Sequence, residues 1–107
     1  MEIIIYSHDM IEVENFGCKQ ILLDLLIYHS DNLIISQVEN STFVAVVIDF
    51  KSNLYTSQIE SFQIFNFSND NIQIEPNTAL FALKIRNKSI YAFRTTFLSS
   101  DAQMMVH

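Results

Sequence analysis

The sequence predicts an α+β fold: a curved, largely antiparallel β-sheet of about seven strands with one main α-helix, at about residues 16–29, packed against it. Three observations carry this expectation. Runs that alternate apolar and polar residues fill most of the chain, as half-exposed strands do. One segment, ENFGCKQILLDLLIYH at residues 14–29, changes to helical spacing. Strands and helices do not alternate along the chain, which argues against the βαβ units of a parallel sheet.

In chain order, a strand is expected at Glu2 to Tyr6, where isoleucines dominate, and a second at Met10 to Glu14, which alternates apolar and acidic residues. The helix follows, with Asn15 available as its N-cap. At 100° per residue Cys18, Ile21, Leu22, Leu25, Leu26 and Tyr28 share one broad face, and only Gln20 and Asp24 form a polar gap opposite. Leu23 and Ile27 lie outside that face and need a cover of their own. LIISQVE and TFVAVVIDF flank Asn40-Ser41 and read as a hairpin. LYTSQIE, FQIFNF and NIQI read as further strands, with a slip of phase between Ile64 and Phe65 that suggests a bulge. Matching the face of Phe81, Leu83 and Ile85 with that of Tyr91, Phe93 and Phe97 predicts a last hairpin closed by Asn87-Lys88-Ser89. In that register Lys84, Arg86 and Arg94 form a basic outer side, and Pro76 separates the hairpin from the preceding strand.

No linker, repeat or low-complexity tract divides the 107 residues, so the expectation is one globular domain over 1–107, large enough to bury roughly 65% of its unfolded surface. Half the residues are apolar and thirteen are aromatic, which excludes a disordered chain; a single cysteine excludes an internal disulfide. The start of the chain lacks a secretory pattern, and the apolar run ILLDLLIY is short and interrupted by Asp24, so a cytoplasmic location without membrane contact is expected. Twelve acids stand against six bases for a net charge of −6, and residues 1–83 hold eleven of those acids against only Lys19 and Lys51. Such a field repels nucleic acid and steers basic partners towards the surface.

Candidate chemistry is sparse. Cys18 in a first helical turn would gain thiolate character from the helix dipole, but His29 would lie about 16 Å further along the same helix, out of reach as its base. A buried structural cysteine is the expectation, with a thiol that iodoacetamide reaches only on unfolding. His8, Asp9, Glu12 and Glu14 offer carboxylates without the convergence a hard cation needs, and no metal or other cofactor is expected. One glycine, Gly17, leaves no phosphate-cradling loop, dinucleotide fingerprint or nucleophile elbow, and no catalytic residue can be named.

A small, acidic, motif-poor chain of this kind resembles the bacterial immunity proteins that neutralise secreted toxins, including those of contact-dependent growth inhibition. The resemblance lies in size, charge and lack of motifs, and it carries over no residues. It implies a non-enzymatic protein–protein interaction: a toxin inhibitor that covers the active-site cleft of a basic toxin, with a nuclease domain as the expected partner. The expected partner-binding residues are Asp9, Glu12 and Glu14, followed by Asp31, Glu39 and Glu60. Two alternatives stand beside this reading. One is an accessory or antitoxin-like subunit docking through Leu23 and Ile27; the other is a small hydrolase using Cys18 or carboxylates.

Overall fold

The computed structural model describes residues 2–29, 33–38, 42–53, 55–85 and 92–107, with Leu33 and Ile85 described by their backbone alone. Among the described residues there are ten strands and no helix: β1 (Glu2–Ser7), β2 (Ile11–Val13), β3 (Cys18–Tyr28), β4 (Leu33–Gln37), β5 (Phe43–Ser52), β6 (Thr56–Asn66), β7 (Ile72–Ile74), β8 (Ala79–Ile85), β9 (Ala92–Phe97) and β10 (Ala102–Val106). The fold is therefore all-β, and the α+β expectation is overturned.

The physical reason lies in β3, which replaces the expected helix. Ile21, Leu23, Leu25 and Ile27 are buried at strict alternation, while Leu22 and Tyr28 on the other face are exposed. A strand that is apolar on both faces produces a run that also satisfies helical spacing. Pairing on both flanks, with β6 and with β9, decides in favour of the strand. Leu23 and Ile27 are thus covered by the protein's own core, which removes the docking face proposed for them. Cys18, at the start of β3, is exposed rather than buried. Eleven residues of extended chain separate it from His29 by roughly 36 Å, further than a helix would.

The topology is one long antiparallel ladder folded in two. β1, β2 and β3 pair in turn with β8, β7 and β6. The short β2–β7 pair is the bend, and the two halves on either side become facing four-stranded sheets, ordered β10-β1-β8-β4 and β5-β6-β3-β9. All pairings are antiparallel. The inner faces meet through Ile3, Ile5, Phe81 and Leu83 from one sheet and Ile21, Leu25, Ile59, Phe62 and Ile64 from the other. Phe62 and Phe81 touch edge to face across the gap, with ring centroids 5.0 Å apart.

Several expected pairings change accordingly. The segments around Asn40-Ser41 do not pair with each other, since β4 joins β8 and β5 joins β6. The expected strands at 54–60 and 62–67 are one strand, β6. Its ladder slips near Glu60, where Leu22 faces Ser61 and Leu25 faces Ile59, instead of between Ile64 and Phe65. The expected last hairpin is absent, because β8 and β9 lie in different sheets. The basic patch is divided with it: Lys84 pairs with Glu2 at 3.0 Å on one sheet and Arg94 stands opposite Leu26 on the other, while Arg86 and Lys88 lie outside the described residues.

Phe62 is fully buried at the contact between the sheets. Replacing it with alanine removes both the transfer term and the packing against Phe81, so Phe62→Ala is expected to cost about 3–5 kcal/mol. Urea unfolding followed by circular dichroism measures this loss.

Candidate functional site

The bend is built around a buried carboxamide. Asn66, 2% exposed, donates from Nδ2 to the carbonyls of Val13 (3.1 Å), Glu14 (3.1 Å) and Asp70 (2.8 Å). Its Oδ1 accepts from the backbone N and the Oγ of Ser68 at 2.9 and 2.7 Å. One side chain thereby ties the loop after β6 to the turn after β2. Asn15, expected as the N-cap of a helix, instead donates its backbone N–H to Asn71 Oδ1 at 2.9 Å.

The turn itself joins Gly17 N to Glu14 O at 2.9 Å, and Phe16, its third residue, has φ 54°. Positive φ at that position favours Gly or Asn; a phenylalanine there carries strain of about 1–3 kcal/mol. The chain's only glycine sits one position later because a Cβ at Gly17 would stand 3.0 Å from the Glu14 carbonyl oxygen. The other non-glycine with positive φ is Asn77, a residue type that adopts this conformation readily. Phe16 gains nothing from burial in exchange for its strain, being 68% exposed. Phe67, just past the end of β6, is 50% exposed, and Met10 on the preceding link is exposed as well. The Asn66 N–H bond to Gly17 O ties together the segments that carry Phe16 and Phe67.

Acids recur along the same segments of the chain. Asp9 lies on the link from β1 to β2, Glu12 on β2, Glu14 at the turn, Asp70 before β7 and Glu75 after it. Glu12 and Glu14 line one cleft of about 560 Å³ together with Val13, Asn71, Ile72 and Gln73, and Gln73 Nε2 holds Glu12 Oε1 at 3.1 Å. Lys19, the base nearest this group in the sequence, is engaged with Asp101 at 3.6 Å. The bend is therefore an acidic pole with exposed aromatics.

The structure brings two of the expected binding residues, Glu12 and Glu14, together on this cleft, whereas Asp9 lies on the link from β1 to β2 with its backbone N bonded to Ser100 O at 3.3 Å. Glu60 stands apart, on the outer face of the β5-β6-β3-β9 sheet, where it lines a shallow cleft with Asp24, Asp49, Leu22 and Leu98. Gln58 bonds Asp24 there at 3.1 Å and Ser61 bonds Asp49 at 2.6 Å. Asp31 and Glu39 lie outside the described residues. No group of three or more His, Cys, Asp or Glu side chains is placed to hold a metal ion among the described residues.

Sequence reasoning missed Phe16 and Phe67, which it placed in a helix and a strand without giving either a role, and it missed Asn66. It also missed a polar cluster at the end opposite the bend. His29 Nε2 is 2.7 Å from Ser57 Oγ, which is 2.8 Å from Ser52 Oγ. The distance suits a serine nucleophile and its base, but both residues are buried and His29 Nδ1 has no hydrogen-bond partner to orient the ring. This cluster closes the core at that end.

Comparison with known proteins finds no matching family model, no matching curated protein and no matching solved structure. No helix among the described residues is long and apolar enough to cross a membrane.

Two outcomes test this description. Asn66→Ala removes three donor contacts, and although Glu14 O keeps Gly17 N and Asp70 O keeps Ser68 Oγ as donors, it is expected to cost about 1–3 kcal/mol, a loss Asn66→Asp should not recover because a carboxylate cannot donate. The measurement is the midpoint of urea unfolding. Iodoacetamide is expected to label Cys18 in the native protein at mildly alkaline pH, read by intact mass before and after denaturation.

Proposed function

We propose that this chain acts by binding, as the neutralising partner of a basic protein, and that the acidic pole at the bend is its docking surface. The observation that carries this reading is Phe16: an aromatic held at positive φ, 68% exposed, on the turn that follows Glu12 and contains Glu14, the two acids that share a cleft. Local strain retained at an exposed side chain is a mark of a functional position, and aromatic anchors ringed by charge are the usual form of an interface hot spot. The carboxylates supply steering and selectivity, whereas the two phenylalanines supply area that leaves water on binding.

This reading agrees with the expected role of a toxin inhibitor. A basic cleft that binds nucleic acid presents the complement of such a pole, and carboxylates within it stand in for phosphate charge. Fast, salt-sensitive association follows from the same electrostatics.

The test separates stability from affinity. Phe16→Gly relieves the positive-φ strain but adds chain entropy to the unfolded state, so stability should stay within about 1 kcal/mol of the parent. Binding should nevertheless weaken at least about tenfold, equivalent to about 1.4 kcal/mol. The immobilised chain should retain a basic protein from its native cells at low salt, and purified retained protein should bind by calorimetry and lose its toxicity on co-expression. Glu12→Lys with Glu14→Lys should abolish retention; unchanged binding by both this double variant and Phe16→Gly would overturn the assignment.

A further inference from the structure

The last two strands run along one open side of the sandwich: β9 is an edge of one sheet, β10 an edge of the other, and residues 98–101 turn between them. A cleft of about 370 Å³ lies there, walled by Thr95 and Phe97 on β9 and by Ala102 and Met104 on β10. Register fixes where these side chains point. Thr95 stands opposite Leu25 and Phe97 opposite Leu23, both buried; Met104 stands opposite Ile5 and Ala102 opposite Ser7, buried likewise. Paired residues share a face, so all four project into the gap between the sheets, and Phe97 and Met104 pack against the core. The cleft is thus an opening into the apolar interior and not a groove on an outer face.

One atom in this opening is out of keeping with the rest. Thr95 Oγ1 is buried and has no hydrogen-bond partner among the described residues. Valine would fill the same shape without a hydroxyl to desolvate, so threonine costs stability in the free chain. An unpaired buried group calls for an explanation, and the cleft beside it supplies one.

The remaining lining sets the character of a ligand. Among the described residues no Asp, Glu, Lys or Arg lines this cleft, in contrast to the cleft at Glu12 and Glu14 and to that at Asp24, Asp49 and Glu60. Asp101, next to Ser100 in the turn, is taken up by Lys19 at 3.6 Å and by Ser99 Oγ at 2.7 Å. Gln103 Nε2 is bonded to Ser7 O and to Asn77 Oδ1. What is left to meet a ligand is apolar surface, the Thr95 hydroxyl, and the exposed His8 and Ser100 at the rim.

We propose that this cleft binds a small uncharged molecule, largely apolar and carrying one hydroxyl: a phenol or a short-chain alcohol. Its apolar body lies between Phe97 and Met104, and its hydroxyl bonds Thr95 Oγ1. Because Oγ1 is sealed, the ligand reaches it by moving a wall of the cleft. Met104 suits that part, being unbranched with three rotatable bonds. A volume of about 370 Å³ lies near the lower end of small-molecule sites, which fits one ring better than a lipid or a nucleotide. The site shares no residue with the cleft at the bend, so it stands apart from the proposed docking surface.

Para-cresol and toluene, which differ by one hydroxyl, test the proposal in NMR titrations of the isotope-labelled protein. Para-cresol should shift the signals of Thr95, Phe97, Ala102 and Met104 and bind with a Kd of about 1 mM or tighter. It should bind at least about fivefold more tightly than toluene, the gain expected from one hydrogen bond. Thr95→Val should raise the urea midpoint of the free protein and bring the two probes to equal affinity. Titrations that leave those four residues unshifted overturn the proposal, as does equal affinity of the two probes for the parent protein. A lower midpoint for Thr95→Val would show the hydroxyl bonded in the free chain and overturn it too. A folded Thr95→Val that still prefers para-cresol does the same; if that variant fails to fold, the two probes on the parent protein decide. Glu12→Lys with Glu14→Lys should leave these titrations unchanged, so failure of this site and failure of the docking surface are told apart.

Discussion

Folding one antiparallel ladder into two facing sheets takes the chain through a bend where strand pairing is interrupted, and carbonyls released from the ladder must find donors elsewhere. Asn66 meets that need. Its buried amide holds the carbonyls of Val13, Glu14 and Asp70 while its oxygen holds Ser68, so the turn before β3 and the loop after β6 are locked to each other. The sheets can face one another, and Phe62 can reach Phe81, because this corner has a single conformation. Ser7 plays a smaller version of the same part on the other sheet: its hydroxyl donates to Glu75 O at 2.6 Å and accepts from Thr78 N at 2.9 Å, holding the turn that starts β8.

The division of labour between Phe16 and Gly17 shows how local geometry and surface chemistry meet at that corner. Sterics demand the glycine at 17, beside the Glu14 carbonyl, and leave the left-handed position to a large side chain. A sequence optimised for stability alone would place Asn or Gly at 16, as Asn77 is placed in the turn before β8. The aromatic is kept where it faces water among carboxylates. The opposite pole differs in kind: His29 and Ser57 are buried there, and Ser57 Oγ links His29 Nε2 to the exposed Ser52.

Much of the strand content was legible, because Ile3 and Ile5 on β1 and Ile11 and Val13 on β2 alternate cleanly with residues on the wetter face. The helix was misread at β3 because Leu22 and Leu26, on the face away from the core, are as apolar as Leu23 and Leu25 within it; periodicity alone does not separate the two templates there. Strand partners were illegible for a different reason. Sequence proximity suggests hairpins, whereas β8 pairs with β1 and β9 with β3, and nothing local to Phe81 or Phe97 encodes a partner tens of residues away. At the candidate site, the acids Asp9, Glu12 and Glu14 were identifiable from composition. The signal that could have located Phe16 was the oddity of an aromatic directly before the chain's only glycine, within Asn15-Phe16-Gly17, which has the composition of a turn.

The place of β1 has a consequence for how the chain is made. It is the first strand in the sequence, yet its two neighbours, β8 and β10, are among the last. During synthesis from the amino terminus, β3, β5 and β6 are complete well before the sheet around β1 can close, and Ile3 and Ile5 must wait for nearly the whole chain to emerge. Pairings so distant in sequence carry a large loop-closure entropy and place this fold among slowly folding topologies. Until β8 and β10 arrive, β1 is an apolar strand with two open sides, the kind of edge at which premature association starts.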